Sequence, residues 1–449
     1  MVLAVAAAAA SLGQPALPLK PCVAQYTPAR CGTFHVAENP AKPGGRTIGL
    51  KVVVIPSRRK PAAPDAFTFL AGGPGSAAAS EMPANALAMW PDVHERHDIL
   101  LVDQRGTGGS NQMTCPPPKR EPKTPAAMGA FAAHCLDSLR GDPRYYGSRI
   151  AADDLEAVRI ALGYRALDVY GTSYGATLAQ VYLARHPRSV RTLMLDGGTF
   201  VDVPFYSRFA PNAQRALELL AKRCRADLGC RDHFPRWRQQ LDTLVAGWNR
   251  QPVRLGKLGT LDGDGLASVV QSMLQTSTNA ASIPLLVSRA AARDYAVLKA
   301  HVNTDTTATP IMYWTIWCNE PWVGLNAKGP WHTIFDGFTA SSIASHRQVC
   351  RYMPRQVEPA GKWTRPHSTV PMLAIVGEAD PQDPIGNLPG LRGTFPNSRV
   401  VTAPGQGHAV GQNGCIGRLV ALVVDRGSVK GLDTSCVRFI VPTPFQLRK

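Results

Sequence analysis

The pentapeptide Gly171-Thr172-Ser173-Tyr174-Gly175 constrains this chain most, because of what flanks it. Ahead of it lies Leu167 to Tyr170, an apolar run short enough for a buried strand, and behind it Ala176 to Arg185 reads as a helix. A G-x-S-x-G turn between strand and helix brings two backbones too close for side chains beside the serine, so glycine is required there. Such a turn holds its serine exposed above the sheet, which makes Ser173 an expected nucleophile rather than an ordinary turn residue.

A serine hydroxyl is a poor nucleophile until a base takes its proton and a carboxylate orients that base. On an α/β-hydrolase scaffold the acid follows the serine in the chain and the histidine comes last. His408 is the expected base, in Pro404-Gly405-Gln406-Gly407-His408, just after a strand at Arg399 to Thr402. Asp380 is the preferred acid. It sits in Gly377-Glu378-Ala379-Asp380-Pro381 after the strand Met372 to Val376, where open α/β sheets place their sites. Asp383 and Glu378 are its competitors. An oxyanion also needs preorganised backbone donors. One is expected from Tyr174, the residue after the nucleophile, and the other from Gly73 in Ala71-Gly72-Gly73-Pro74-Gly75, with Gly72 as competitor.

The surrounding pattern agrees with an α/β-hydrolase fold, a mostly parallel sheet flanked by helices. Strands are expected at Ile48 to Ile55, Phe67 to Leu70, Ile99 to Val102 and Thr192 to Leu195, and a helix at Ile150 to Leu162. Between 201 and 360 the text changes to longer helical stretches, such as Asn212 to Cys224 and Phe234 to Trp248, with Trp237, Trp248, Trp314 and Trp317 among them. This reads as a mainly helical cap inserted between a first core segment, 21–200, and a second, 361–449.

Residues 1–20 resemble a secretory signal. Val2 to Leu12 is apolar apart from Ser11 and too short to span a bilayer, although no positive charge precedes it. The ten cysteines, with no C-x-x-C pair, also suit an oxidising compartment. Pairing neighbours along the chain gives Cys22–Cys31, Cys115–Cys135, Cys224–Cys230, Cys318–Cys350 and Cys415–Cys436. An exported protein, periplasmic or secreted, is the expectation, with no stable membrane insertion. The most loop-like stretch is Pro116 to Pro125, with Lys119, Arg120 and Lys123.

With 45% hydrophobic and 18% charged residues the chain can bury a core, which excludes a disordered or fibrous protein. The formal charge of +17 reads as a solvated Arg-rich surface, since no dense basic run interleaved with aromatics marks a nucleic-acid partner. His94-Glu95-Arg96-His97 is one residue short of H-E-x-x-H, so its histidines do not share a helical face, and no phosphate-binding loop is present. Neither metal nor cofactor is expected.

The chain resembles the α/β-hydrolase exopeptidases of the proline iminopeptidase and tripeptidyl aminopeptidase type. The likeness rests on Ala71 to Gly75, on Asp103-Gln104-Arg105-Gly106-Thr107-Gly108-Gly109-Ser110, on Gly171 to Gly175, on Leu195-Asp196-Gly197, on Gly377 to Pro381 and on Gly407-His408. Cys415 and Ser435-Cys436-Val437 are closer to the secreted tripeptidyl branch. The chain departs from the pattern at Ala71, where many relatives carry His, and at Tyr174, where the small iminopeptidases usually carry Trp; backbone donation survives both changes. The resemblance implies release of short N-terminal units from peptides with a free N-terminus, whose ammonium group an acidic side chain receives. Glu320 in Trp317-Cys318-Asn319-Glu320 is the candidate for that role. Asp103 and Arg105 are expected to brace the loop beside the oxyanion hole. The enzyme alternative is a carboxylic ester hydrolase on the same triad, because that machinery cleaves either bond.

Overall fold

The computed structural model describes residues 17–448 apart from 117, 119–121, 123, 303–308 and 358–362. Most of the signal-like segment and the basic residues Lys119, Arg120 and Lys123 therefore lie outside the described residues. The main sheet has nine strands: β1 (Lys20–Ala24), β2 (Thr27–Ala37), β3 (Thr47–Ile55), β4 (Ala66–Leu70), β5 (Ile99–Val102), β6 (Leu167–Thr172), β7 (Val190–Asp196), β8 (Met372–Gly377) and β9 (Ser398–Ala403). Their spatial order is β1-β2-β3-β5-β4-β6-β7-β8-β9. From β5 to β9 every pairing is parallel, whereas β1, β2 and β3 form an antiparallel edge.

Strand alternation divides the apolar side chains between two layers, as a sheet covered on both faces requires. Leu100, Leu167, Val169, Met372 and Ala374 join the cluster on one face, with the helices Ser148–Ala161 and Tyr174–Arg185. Ile99, Leu101, Tyr170, Leu373 and Ile375 join the other, with the helix Ile416–Arg426.

The hairpin β1–β2 is absent from the sequence expectation. It turns at Gln25 and Tyr26, both with positive φ (45° and 65°), a conformation that hairpin turns usually signal with Asn or Gly. Folded structure also begins earlier than residue 21. Leu17 is buried, and its N–H donates to the Ala161 carbonyl at 3.3 Å.

Between β7 and β8 the described regular elements are helices but for two-residue strand pairings. Packing splits this stretch in two. The helices Phe205–Ala226, Trp237–Arg250, Gly263–Leu274 and Ile283–Ala291 enclose a core of their own, built on Leu217, Leu241, Val270 and Leu286. The helices Ile311–Asn319 and Asp336–Cys350 instead contribute Ile316, Trp317 and Ile343 to the cluster against the sheet.

All five neighbour pairings of cysteine occur, with Cα separations from 5.1 Å at Cys318–Cys350 to 6.4 Å at Cys415–Cys436. These lie in the ordinary disulfide range. Closing a short loop typically stabilises a fold by about 2–4 kcal/mol. Reductant is therefore expected to lower the melting temperature, and thiol titration of the unreduced, denatured chain to find no free thiol. Ten titratable thiols would reverse the expectation of an oxidising compartment.

Candidate active site

Ser173 stands at the junction of β6 and the helix Tyr174–Arg185, with φ 57° and ψ −124°. Holding a non-glycine residue there costs on the order of 1–3 kcal/mol, so the surroundings must over-determine it. They do so through backbone contacts. The Ser173 N–H donates to the Asp196 carbonyl on β7 at 3.0 Å, and its carbonyl accepts from Ala176 N–H at 2.8 Å. A Cβ at Gly171 would strike the carbonyl of Gly175, and one at Gly175 would strike that of Leu70 on β4. Both glycines are thus demanded by close approach, as the pentapeptide implied.

His408 and Asp380 come together at the C-terminal ends of β9 and β8. His408 Nδ1 lies 2.9 Å from Asp380 Oδ2, and Asp380 Oδ1 accepts from the N–H groups of Gln382 and Asp383 at 2.8 Å each. The other ring nitrogen, Nε2, is buried with no hydrogen-bond partner among the described residues. A buried polar nitrogen left unpaired is rare in native structures and is compatible with a reactive role. Burial disfavours the imidazolium, but the charge and hydrogen bond of Asp380, followed by the charges of Asp383 and Asp196, outweigh it and push His408 up to about 9. Burial pushes Asp380 upward too, yet His408 and the two N–H donors hold it below the usual carboxylate range.

A pocket of about 30 Å³ opens at Ser173, lined by Gly73, Tyr174, Thr177, Thr199, Phe205, Trp317, Trp322, Gln382 and Asp383. That volume holds only a water or two. Gly73 reaches this pocket, whereas Gly72 is pressed against the serine, where a Cβ would lie 3.2 Å from Ser173 Cβ. Of the competing acids, Glu378 accepts from Gly405 N–H at 2.8 Å and is partnered away from the histidine.

Glu320 is buried but is absent from the pocket lining. Its carboxylate accepts from Ser148 N–H at 2.8 Å, Ser148 Oγ at 3.0 Å and Trp322 Nε1 at 2.8 Å. The chain of hydrogen bonds continues from Ser148 Oγ to the Tyr174 hydroxyl at 2.7 Å, which accepts from Gln104 Nε2 at 3.0 Å. Glu320 therefore stands one residue behind the wall formed by Tyr174 and Trp322. Burial outweighs these donors and raises it to about 7. Ser148 and Trp322 carried no sequence signal, and the motif that holds Gln104 did not show its partner, because a polar network assembled from four distant segments has no spacing.

The residues expected to brace the neighbouring loop are deeply buried. Arg105 grips Asp154 through two hydrogen bonds, 2.6 Å from Nε and 2.7 Å from Nη2, and donates to the carbonyls of Glu38 and Tyr145. Asp103 accepts from Ser80 N–H, Ser80 Oγ and Gly109 N–H. Every oxygen and guanidinium nitrogen in this pair of sites faces the protein, not the pocket.

Residues 65–411 match the family described as alpha/beta hydrolase fold. The chain belongs to that family. Among curated proteins it is similar to the tripeptidyl aminopeptidase of Streptomyces lividans, 28% identical over 42% of this chain and 40% of that protein. It is similar also to the serine protease Hip1 of Mycobacterium tuberculosis, 27% identical over 45% of this chain and 42% of that one. The chain thus spans about two fifths of the length of these relatives. The proline iminopeptidase of Neisseria gonorrhoeae is 32% identical over 29% of this α/β-hydrolase and 31% of its own length. A solved structure, the proline iminopeptidase of Mycobacterium smegmatis, aligns with 88% of this chain and 98% of its own at 16% identity and TM-score 0.40. Among the described residues, no helix is long and apolar enough to cross a membrane.

The raised His408 sets the sign of a pH effect. A protonated imidazole cannot accept the Ser173 proton, so phosphonylation of Ser173 by a fluorophosphonate is expected to accelerate as pH rises through about 9. The same charge stabilises the fold fully below the ordinary histidine value, and that contribution is lost as pH rises through about 9. A labelling rate that stays constant as pH rises through about 9 would dissociate His408 from Ser173.

Proposed function

We propose that this protein is a serine exopeptidase that releases short N-terminal units, a single residue, proline or a tripeptide, from peptides through an acyl-enzyme. The observation that carries the reading is the imidazole of His408, anchored at Nδ1 by Asp380 and unpaired at Nε2, together with a serine held in a strained elbow. In the proposed mechanism His408 Nε2 takes the Ser173 proton as Oγ attacks the scissile carbonyl, and the N–H groups of Gly73 and Tyr174 hold the oxyanion. The imidazolium then gives its proton to the leaving amine. Water, activated by the same nitrogen, releases the acyl group.

The peptidase names of the relatives support peptide over ester, and the buried acid behind the pocket supports a substrate carrying an amine. Glu320 lies near neutrality, at about 7, so an ammonium group arriving beyond Tyr174 and Trp322 would draw it to its charged form. Export from the reducing cytoplasm fits the five disulfides.

The deciding experiment compares aminoacyl, prolyl and tripeptidyl chromogenic amides, each with a free and a blocked N-terminus, beside a short-chain p-nitrophenyl ester. Activity on free-amine amides that disappears on blocking is expected. Ester cleavage with every amide inert would make the protein an ester hydrolase instead. Ser173→Ala should abolish turnover, a loss of at least about a thousandfold, with an unchanged melting temperature; a folded variant that keeps its activity would remove Ser173 from the mechanism. Glu320→Gln is expected to raise KM for the free-amine amide more than for the ester, and an equal effect on both would assign Glu320 a purely structural role.

A further inference from the structure

Two carboxylates, not one, face the histidine. Asp380 Oδ2 is 2.9 Å from His408 Nδ1, and Asp383 Oδ2 is 3.8 Å from the same nitrogen. Asp383 is 5% exposed and lines the pocket at Ser173, so it borders both the base and the nucleophile. Its orientation is fixed by neutral groups. Oδ1 accepts from the Thr199 hydroxyl, whose oxygen in turn accepts from Asn387 Nδ2 at 2.7 Å, and Oδ2 accepts from Gln382 Nε2 at 3.0 Å. The Asp383 N–H donates to Asp380 Oδ1, so one tight turn holds the two acids in mutual register.

Nothing in this shell neutralises Asp383. Among the described residues its one ion-pair partner is His408, and burial pushes its carboxyl above the ordinary range. The other charged groups near the imidazole are already engaged. Asp196 accepts from the N–H groups of Val410 and Gly411 and from the Tyr170 hydroxyl, and Arg215 donates to the backbone carbonyls of Glu378 and Asp380. Keeping a second carboxylate in a buried site is costly unless a cation appears there. The one cation the proposed reaction creates is the imidazolium of His408.

We propose that Asp383 is a second positioning carboxylate for His408, sharing with Asp380 the positive charge that forms on the ring during acylation and deacylation. The proposal rests on the serine-hydrolase reading above. When Nε2 takes the Ser173 proton, the Nδ1 proton stays on the ring, and neither aspartate is protonated. When Nε2 passes its proton to the leaving group, the ring returns to neutral and both carboxylates are as they began. At 2.9 Å Asp380 takes the Nδ1–H hydrogen bond, whereas at 3.8 Å Asp383 acts on the ring through its charge.

The test compares wild type with Asp383→Asn, Asp380→Asn and the double variant, by kcat, KM and pH profile and by the rate of fluorophosphonate labelling of Ser173. Removing the Asp383 charge should lower the pH midpoint of labelling and of kcat/KM by about half a unit or more, with KM little changed. Asp380→Asn should keep a residual rate that the double variant loses by about a further tenfold. Asp383→Thr, read alongside, replaces Asp383→Asn if that variant fails to fold. An unshifted profile, with Asp380→Asn and the double variant equally slow, would reduce Asp383 to a structural residue. Wild type that resists labelling altogether would overturn the serine-hydrolase reading and this proposal with it, whereas labelled wild type with unshifted variants overturns this proposal alone.

Discussion

Gly175 lies against the carbonyl of Leu70, so the first turn after Ser173 rests directly on the strand that leads into Gly72 and Gly73. This contact decides how far Ser173 stands above the sheet and where the loop after β4 passes. Ser173 pays for its positive φ through contacts that its neighbours make anyway: a hydrogen bond to β7 and a helix whose residues from Tyr174 to Leu183 are all buried. Strand, helix and loop are therefore fixed together. A shift in one would move Ser173, the Tyr174 N–H and Gly73 at once, which is the preorganisation that the proposed oxyanion site requires.

Charge is the second constraint. Asp196, Asp380 and Asp383 lie buried around one imidazole, each held by backbone, hydroxyl or amide donors rather than by arginine. Arg105 is spent elsewhere, on Asp154 and two carbonyls, and Arg215 reaches only backbone oxygens beside Asp380. Donors that are neutral leave the carboxylates' negative potential uncancelled, and the imidazole answers by binding its proton more tightly. These surroundings favour the imidazolium, the form of the ring that the proposed mechanism creates.

Much of this arrangement was legible before any coordinates, for a definite reason. The elbow, Asp380 after β8 and His408 after β9 sit at the ends of short apolar strands, and strand ends can be located from hydrophobic runs and glycines. The disulfides followed the same local logic, since each joins cysteines that are neighbours in the chain. The hairpin β1–β2 was not legible, because Gln25 and Tyr26 give no turn signal. Nor was the division of the helical insertion into a self-contained core and a part that packs on the sheet, since both parts carry the same helical periodicity.

The role of Glu320 shows where local reading ends. Its sequence neighbours place it near the pocket, but Ser148, Tyr174 and Trp322 determine that its carboxylate stands behind the wall rather than in it. Asp383 moved the other way, from a competitor of Asp380 in the chain to a companion beside the same nitrogen in space. The sequence by itself determined the fold class, the tight turn at Ser173 and the placing of Asp380 and His408 at strand ends, because these depend on short-range pattern and on the steric needs of glycine. The tertiary structure alone decided which carboxylates face the imidazole and which donors they lose to other partners, because burial and hydrogen-bond competition depend on residues far apart in the chain.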